Sequence, residues 1–329
     1  METIYFGGGT PSVLEPGEIE EILETIFRNY SVSKGAEISF EANPDDLKSE
    51  YLQNLKKLGI NRLSIGIQSF IEKDLELLRR SHTAEQALNS VFHSINQGFK
   101  NINIDLIYGI PGQDTIQWGQ NIDKALGLGI QHISAYHLTF EPGTVFDHWR
   151  KKGRISAVDE KQSMEQLEIL IEKTGIKGFE HYEISNFAIP GFISRHNSNY
   201  WKQVNYIGIG PSAHSYDGKS RRWNIGNNLK YIQAVQKKGD KYYDYEELTQ
   251  TDLYNEYILT SLRTVWGIDM TIIALKFGDN YVKYTNEKAE RFLKGGELKK
   301  NGIIISLTEK GILISDFIIS EFFIISVCP

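Results

Sequence analysis

Glycines and polar side chains follow several predicted strands, where they could bind a small polar ligand. The segment "TIYFGGGTPS", residues 3–12, places three consecutive glycines after a short apolar run. Glycine leaves backbone N–H and C=O groups open to a ligand because it has no side chain. The loop lacks both the Lys-Ser/Thr pair of a P-loop and the G-x-G-x-x-G spacing of a dinucleotide site. A nucleotide-phosphate cradle is therefore disfavoured, and a smaller polar ligand is favoured.

The later strands end in residues that offer a carboxylate, an amide or a hydroxyl group. A carboxylate inside an apolar strand, as Asp105 is in "INIDLIYGIPG", costs free energy unless it has a partner. Several such residues at one sheet edge indicate a single site, although each could instead cap the helix that follows it. The strand-end candidates are Glu41, Gln68, Asp105 and Thr139.

Strands and helices alternate from Thr3 to about Thr144, and this alternation positions the candidates. The predicted strands are Thr3–Phe6, Glu37–Glu41, Arg62–Ile67, Asn103–Tyr108 and His132–Phe140. The predicted helices are Pro16–Asn29, Asp45–Leu58, Ile71–Arg79, Thr83–Gln97 and Thr115–Leu126, with Asp45 and Thr83 as N-caps and Gly98 and Gly129 as stop signals. This order predicts an α/β fold with a parallel sheet, whose ligands bind at the carboxyl ends of the strands.

The second half of the chain has a different pattern. After a predicted helix at Asp159–Thr174, residues 179–216 are rich in aromatic residues, histidine and glycine. From about Leu248 the pattern predicts three helices and a hairpin turning at Thr308–Gly311, which together form a winged-helix-like module. These helices are Asp252–Trp266, Thr271–Phe277 and Glu287–Lys294. We expect two domains, residues 1–230 and 231–329.

Composition narrows the functional classes. The chain has 329 residues, 40% of them hydrophobic, and a formal net charge of −6, which disfavours nucleic acid and anionic lipid as partners of the bulk surface. No apolar stretch is long enough to span a bilayer, and no secretion signal is seen. Cys328 is the only cysteine, so this chain alone supplies neither an internal disulfide nor a multi-cysteine metal site. We expect a cytoplasmic protein.

Six motifs in order carry a resemblance to a known family. The succession "YFGGGTP", "FEANP", "IGIQSF", "LLRRSHT", "DLIYGIPGQ" and "YHLTFEPGT" resembles the radical S-adenosylmethionine proteins of the oxygen-independent coproporphyrinogen III oxidase family. The resemblance covers nearly the whole chain. It implies a partial (β/α) TIM-type barrel of the radical SAM type, followed by the C-terminal helical, winged-helix-like domain.

The resemblance also implies the residues that bind the cofactor. Gly8, Gly9, Thr10 and Glu41 match positions that hold S-adenosylmethionine. Gln68, Arg80 and Asp105 match positions that bind a second molecule of it, and Thr139, Ala213 and His214 match positions in contact with cofactor further along. Fixed carboxylate, amide and guanidinium groups suit a methionyl zwitterion and a ribose. Arg80 could alternatively be a solvated residue at a helix end.

One motif separates two branches of the family. "RHNSNYW", residues 195–201, fits the H-N-x-x-Y-W signature of the HemW branch, which implies a heme chaperone that delivers heme to respiratory proteins. His196 could ligate heme iron, with Tyr200 and Trp201 as flat faces beside it. His137, His181 and His214 are lesser candidates. Alternatively, the motif is a surface loop whose His196 caps a turn.

The family's cluster motif, C-x-x-x-C-x-x-C, is absent from this chain. In the family its thiolates bind a [4Fe–4S] cluster, so we expect that cluster only in a full-length protein. Two explanations are open: a truncated gene product, or a natural variant without the cluster. Whether this chain is an enzyme is therefore uncertain, and we expect no reductive cleavage of S-adenosylmethionine by the chain as given.

The favoured function is a heme chaperone that binds heme and S-adenosylmethionine and meets the membrane at most peripherally. The alternative is oxidative decarboxylation of coproporphyrinogen III to protoporphyrinogen IX. A DNA-reading C-terminal module is disfavoured, because 12 acidic and 9 basic residues follow from Glu246 onward. A Schiff-base lyase is disfavoured because no lysine stands at the strand ends.

Overall fold

The computed structural model describes residues 1–156, 158–237 and 241–325. Contacts between residues divide the chain into two compact units, residues 1–196 and 197–329. The predicted boundary near residue 230 stays a prediction. Cys328 lies outside the described residues.

The first unit is built on one seven-stranded sheet with the order β1-β2-β3-β4-β5-β7-β6. Strands β1 to β5 are parallel, and β7 and β6 continue the sheet in antiparallel fashion. The strands are β1 (Thr3–Phe6), β2 (Glu37–Ala42), β3 (Arg62–Gln68), β4 (Ile102–Tyr108), β5 (His132–His137), β6 (Glu180–Glu183) and β7 (Asn186–Ala188). The predicted α/β partial barrel is confirmed.

Helices connect the parallel strands. They are α1 (Pro16–Asn29), α2 (Ser49–Lys57), α3 (Glu72–Leu77), α4 (Ala84–Asn96), α5 (Thr115–Gly127), α6 (Val145–Lys151) and α7 (Glu160–Ile176). Thr83 caps α4 as predicted, since its hydroxyl accepts a hydrogen bond from the Gln86 N–H at 3.2 Å. The predicted cap at Asp45 is wrong: this residue lies within a short 3₁₀ turn, Pro44–Asp46, and α2 begins later. The predicted strand from His132 is also shorter and ends at His137.

The two faces of the parallel sheet differ in chemistry. Side chains alternate along each strand, so register pairs share a face. On one face apolar residues pair across the strands, as Phe40 with Leu63 and Ile104 with Ile133, and these residues are buried. On the other face the register pairs are polar: Ser39 with Arg62, Ser64 with Asn103, Asn103 with His132, and Asp105 with Ser134. The apolar face forms the core, and the polar face is the one available for chemistry.

Helix α8 (Arg195–Trp201) includes the division between the two units. In the second unit a three-stranded antiparallel sheet comes first, with the order β10-β9-β8. Its strands are β8 (His214–Tyr216), β9 (Ser220–Asn224) and β10 (Tyr243–Glu247), and helix α9 (Asn228–Gln236) lies between β9 and β10 in the chain.

The C-terminal part of the second unit combines helices with a small sheet, β11-β13-β12, around its own core of buried residues. Its elements are α10 (Gln250–Leu262), β11 (Ile268–Asp269), α11 (Met270–Phe277), α12 (Asp279–Gly295), β12 (Leu298–Asn301), β13 (Ile304–Leu307), α13 (Glu309–Ile312) and α14 (Ser315–Glu321). The predicted winged-helix-like arrangement of helices and a hairpin is present.

The predicted position of the hairpin turn is wrong. The strands turn at Gly302-Ile303, where Gly302 has a φ of +60°, and a helix follows at Glu309–Ile312. Thr308 starts that helix because its hydroxyl accepts from the Gly311 N–H at 3.1 Å. A glycine at the first of the two loop residues is a usual signal for such a turn. None of the helices in the described ranges is both long enough and apolar enough to cross a membrane.

Candidate functional site

The glycine loop lies directly after β1 and is shaped by two different constraints. A Cβ on Gly7 would overlap the Tyr5 ring and lie 2.9 Å from the Glu41 carboxyl group, so a larger residue there would displace these two side chains. Gly8 has a φ of +87°, which L-residues rarely adopt. No atom lies within 4 Å of a Cβ built on Gly8 or Gly9, so this part of the loop is open. Backbone N–H and C=O groups are therefore accessible at the end of β1.

Glu41 is fixed against this loop at the end of β2. Its Oε1 accepts a short hydrogen bond from the Tyr5 hydroxyl, and its Oε2 accepts from the Gly8 N–H at 3.2 Å. Burial, and secondarily the nearby Glu41 charge, raise the pKa of Tyr5, so the phenol stays protonated and donates. The structure thus brings Gly8 and Glu41 together. Thr10 directly precedes a 3₁₀ turn, Pro11–Val13, and its carbonyl accepts from Val13 at 3.1 Å.

Gln68 and Arg80 meet over Gly66. A Cβ on Gly66 would lie 3.1 Å from Gln68 Nε2 and 3.4 Å from Arg80 Nη2. Arg80 donates to Asn43 Oδ1 at 2.8 Å and to the Gly66 carbonyl at 3.3 Å, while its buried Nε has no hydrogen-bond partner. Gln68 has a φ of +68°, a strained value for a residue with a side chain. These hydrogen bonds hold the Arg80 side chain at the strand ends, so Arg80 is not a solvated residue at the end of a helix.

Asp105 lies on the polar face of β4. Its Oδ1 accepts from Asn103 Nδ2 at 2.8 Å, and Ser64 Oγ lies 3.5 Å from its Oδ2. Burial raises the pKa of Asp105 to about 6; the Asn103 hydrogen bond opposes the rise and the Glu41 charge adds to it. This carboxyl group therefore titrates close to neutral pH.

The remaining cofactor candidates are dispersed. Thr139 is exposed in the loop after β5. Ala213 and His214 belong to the second unit, at the start of β8, where Ala213 is half-buried and His214 is exposed. The role of each in cofactor binding stays a prediction.

His196 is held inside the first unit. Its ring stacks on Tyr5, with centroids 4.5 Å apart and planes at 13°, and its Nδ1 lies 2.9 Å from Thr3 Oγ1. The backbone N–H groups of Arg195 and His196 donate to the Glu37 carboxylate at 3.0 and 2.8 Å. Burial lowers the pKa of His196 to about 4, so the imidazole is neutral at pH 7. His196 thereby contacts Tyr5, the residue that holds Glu41.

Tyr200 and Trp201 belong to the second unit. The Tyr200 ring packs edge-on against Tyr206 at 4.7 Å. The Arg263 guanidinium lies 5.3 Å from the centre of the Trp201 ring. Both aromatic residues are thus packed on neighbours within their own unit.

Two of the lesser histidine candidates, His137 and His181, have a ring nitrogen in contact with a polar group of the protein. His137 Nε2 lies 2.9 Å from Ser163 Oγ, and burial lowers the pKa of this histidine. His181 stacks on Phe187 at 4.1 Å, and its Nε2 lies 3.0 Å from the Ile184 carbonyl.

A polar network lies deeper in the sheet than the strand-end candidates, and the sequence analysis does not predict it. His132 lies 2.5 Å from Asn103 Oδ1 through Nδ1 and 2.7 Å from the Tyr182 hydroxyl through Nε2. Arg62 is fully buried, and its Nε and Nη2 have no hydrogen-bond partner. Polar residues alternate with apolar ones in "RLSIGIQ" and "NINIDLIY". That period of two, unusual in parallel strands, is the signal that could have identified the network.

The donor groups of the described residues suit S-adenosylmethionine but not an iron–sulfur cluster. An open glycine loop, two carboxylates, an amide and a guanidinium with an orphaned Nε suit a zwitterionic methionyl group and a ribose, so they fit S-adenosylmethionine. An iron–sulfur cluster needs several thiolates, and the described residues contain no cysteine. Nor does any group of three His, Cys, Asp or Glu in these ranges suit a metal ion. The described residues therefore do not fit the cluster.

Comparisons with known proteins agree over the whole chain. Residues 1–125 match the family model of the Radical SAM superfamily, and residues 248–314 match that of the HemN C-terminal domain. The heme chaperone HemW of Bacillus subtilis is 35% identical over 323 residues, which cover 98% of this chain and 85% of that protein. HemW of Lactococcus lactis is 32% identical over 322 residues, covering 98% and 84%.

A solved structure shares the fold. Coproporphyrinogen III oxidase (HemN) from Escherichia coli, a radical SAM enzyme, superposes with a TM-score of 0.82. The match covers 98% of this chain and 77% of that chain at 24% sequence identity. At this identity the likeness concerns the fold.

Proposed function

The chain belongs to the HemW heme chaperones of the radical SAM superfamily, and from this membership we propose that it binds heme and delivers it to an acceptor protein. The observation that carries the proposal is the 35% identity with a heme chaperone across 98% of this chain. The proposed acceptor is a respiratory protein, and the proposed compartment is the cytoplasm, with at most peripheral membrane contact. Nucleic acid is not among the proposed partners.

The open loop at the end of β1 and the polar strand ends would hold S-adenosylmethionine. Gly8, Gly9 and Thr10 would contact its methionyl part through backbone groups, and the Glu41 carboxylate would accept from its ammonium group. Arg80 would pair with an anionic or hydroxyl oxygen. The remaining proposed contacts in the first unit are Gln68, Asp105 and Thr139. The family resemblance assigns a cofactor contact to Ala213 and His214 of the second unit as well, and this assignment stays a prediction.

S-adenosylmethionine supplies an adenosyl radical in enzymes that cleave it reductively. Because the described residues do not fit the iron–sulfur cluster, no catalytic step is assigned to them. What they do is hold a ligand: Tyr5 keeps its proton and fixes Glu41, and Glu41 fixes the Gly8 N–H. A preformed loop of this kind lowers the ordering cost of binding.

The sequence motif assigns heme binding to His196, Tyr200 and Trp201, and this assignment stays a prediction. Tyr200, which is half-exposed, could offer a flat face to a porphyrin. His196 is less suited to ligate iron, because its Nδ1 and one ring face are already engaged with Thr3 and Tyr5.

A hemin titration of the whole chain, followed in the Soret region, tests the proposed function. We expect saturable binding of one heme per chain, with a spectrum distinct from free hemin. An absorbance that rises linearly with added hemin, without saturation, would show non-specific association and overturn the proposal.

Oxidative decarboxylation, the alternative, is tested by incubating the chain with coproporphyrinogen III, S-adenosylmethionine and a strong reductant. We expect no protoporphyrinogen IX, and its enzyme-dependent formation would contradict the chaperone assignment.

A further inference from the structure

Strand β10 forms one edge of the sheet β10-β9-β8 in the second unit. The Ile225 N–H donates to the Tyr242 carbonyl at 2.9 Å, which fixes the phase of its hydrogen bonds with β9. Hydrogen-bonded and non-hydrogen-bonded pairs alternate along an antiparallel ladder, so residues 243, 245 and 247 direct their N–H and C=O groups away from β9. Within the described ranges these groups have no hydrogen-bond partner. β10 therefore offers an open edge to another strand.

A pocket of about 300 Å³ lies on one face of this edge strand. Glu246 and Leu248 line it from β10; they are two positions apart, so their side chains lie on the same face of the strand. Helix α10 lies over that face, because Arg221, the register partner of Glu246, pairs with Glu256 of α10 at 2.8 Å. Tyr245 lies on the opposite face and is 58% exposed. Alternate side chains of a strand added to β10 would point to the face that holds the pocket.

The pocket combines three carboxylates with apolar side chains. Glu246, Asp252 and Glu256 line it together with Leu259 and Phe323, and none of the described residues in its lining is basic. The guanidinium from β9 balances only one of these charges. Burial raises the pKa of Glu256; the guanidinium opposes the rise, and the charges of Glu246 and Asp252 add to it. The pocket is therefore net negative, which suits a cationic side chain with an apolar stem.

The charge of β10 also decides between two kinds of strand that could cover its edge. Two copies of β10 paired with each other would bring the carboxylates of Asp244, Glu246 and Glu247 from both copies together. Like charges that face each other across a strand pair are destabilising, so a second copy is disfavoured. A strand with basic residues at alternate positions has the complementary charge.

We propose that β10 binds an extended, basic segment of a partner protein by strand addition, with alternate lysine or arginine side chains in the pocket beside Glu246. Main-chain hydrogen bonds to the open edge hold the segment, and the pocket selects its side chains. The inference goes beyond the proposed heme binding and does not depend on it, because all the residues that carry it belong to β9, β10, α10 and the residues after α14.

Fluorescence anisotropy tests the inference with the whole chain and a short, fluorescein-labelled peptide of alternating lysine and valine, at physiological ionic strength. We expect saturable binding of this lysine peptide. The same peptide with glutamate in place of lysine should not bind. Proline in place of valine should weaken binding by about tenfold or more, because proline donates no main-chain hydrogen bond.

Three variants of the chain separate the pocket from the bulk charge. Glu246→Lys reverses a charge in the pocket, whereas Glu247→Lys makes the same change in net charge on the opposite face of β10. We expect the Kd of the lysine peptide to rise about tenfold or more in the first and less than about threefold in the second. Tyr245→Pro removes an open N–H of the edge without breaking a bond to β9, and it should raise the Kd about fivefold or more.

Three results would overturn the inference. One is no saturable binding of the lysine peptide by the wild type up to about 1 mM. Another is an equal Kd in Glu246→Lys and Glu247→Lys, or an unchanged Kd in Tyr245→Pro, since attraction by the net charge would then explain the binding. The third is a wild-type dimer in analytical ultracentrifugation that Tyr245→Pro dissociates, because a second copy would then occupy the edge. Thermal unfolding checks the fold of each variant, and the peptide controls test the inference without any variant.

Discussion

The Glu41 carboxylate shows how single residues would build the proposed ligand site. It receives one hydrogen bond from a buried phenol and another from the glycine loop, so both its oxygens are oriented before any ligand arrives. The loop and the carboxylate come from strands that are adjacent in the sheet, which explains why residues 33 positions apart act together. At this scale the proposed site is preformed.

Replacing Glu41 by glutamine should weaken binding of S-adenosylmethionine. The charge that would pair with the ligand's ammonium is lost, and hydrogen bonds to charged groups are worth about 1.5–3 kcal/mol. We expect about a tenfold or larger rise in Kd, measured by isothermal titration calorimetry. Glu50→Gln, at an exposed position of α2, is the control and should leave the Kd unchanged. Equal affinities for both variants would remove Glu41 from the site.

The titration of Asp105 predicts a pH dependence of stability. Its pKa is about 6 when folded, against an ordinary value of 3.8, because burial disfavours the charge. The folded state binds more protons in this window, so Asp105 stabilises the fold below about pH 4 and that contribution is lost as pH rises through 6. The shift corresponds to about 3 kcal/mol.

Asp105→Asn isolates this contribution. We expect the variant to gain stability relative to wild type by about 2–3 kcal/mol when the pH is raised from 4 to 7.5. Urea unfolding of both proteins at both pH values measures the difference in their free energies of unfolding. The titrations of all other groups cancel in this difference. A difference that does not change with pH would mean that folding does not raise the pKa of Asp105.

At the scale of elements, the strands and helices of the first unit could largely be predicted from the sequence. The apolar periodicity of α1 and the cap at Thr83 specify their elements locally, and both are confirmed. The hairpin was misplaced because the apolar run "GILIS" resembles a strand, whereas the Thr308 cap starts a helix there. Tertiary and capping interactions, not propensity, decide such short segments.

Helix α8 depends on a carboxylate from a distant strand. Glu37, on β2, accepts from the backbone N–H groups of both Arg195 and His196, and it is buried. No sequence pattern could predict this, because the contact joins residues about 160 positions apart. The same applies to the stacking of His196 on Tyr5, which depends on where the fold places the helix.

Glu37→Gln should therefore destabilise the protein. The variant keeps the shape of the side chain but loses one acceptor oxygen and the charge at a helix N-terminus, so we expect a loss of about 1–3 kcal/mol in unfolding free energy. Glu2→Gln removes an exposed ion pair with Arg195 and should cost less than about 1 kcal/mol. Chemical denaturation at neutral pH compares the two. Similar losses for both variants would argue against the cap.

At the scale of the whole molecule, the order of the motifs indicates the superfamily, whereas composition does not. Composition indicated only an acidic chain large enough for two domains, whereas six ordered motifs indicated the superfamily that the comparisons support. The strand ends could be assigned from sequence because parallel strands bring them to one edge.

Heme transfer tests the proposed chaperone function most directly. The chain is loaded with one equivalent of hemin and mixed with an apo b-type respiratory cytochrome, and with apomyoglobin as a scavenger that reports passive release. A chaperone function predicts that heme reaches the cytochrome faster than it reaches apomyoglobin, at a rate that rises with cytochrome concentration. Equal, concentration-independent rates to both acceptors would mean passive dissociation and would contradict a chaperone function.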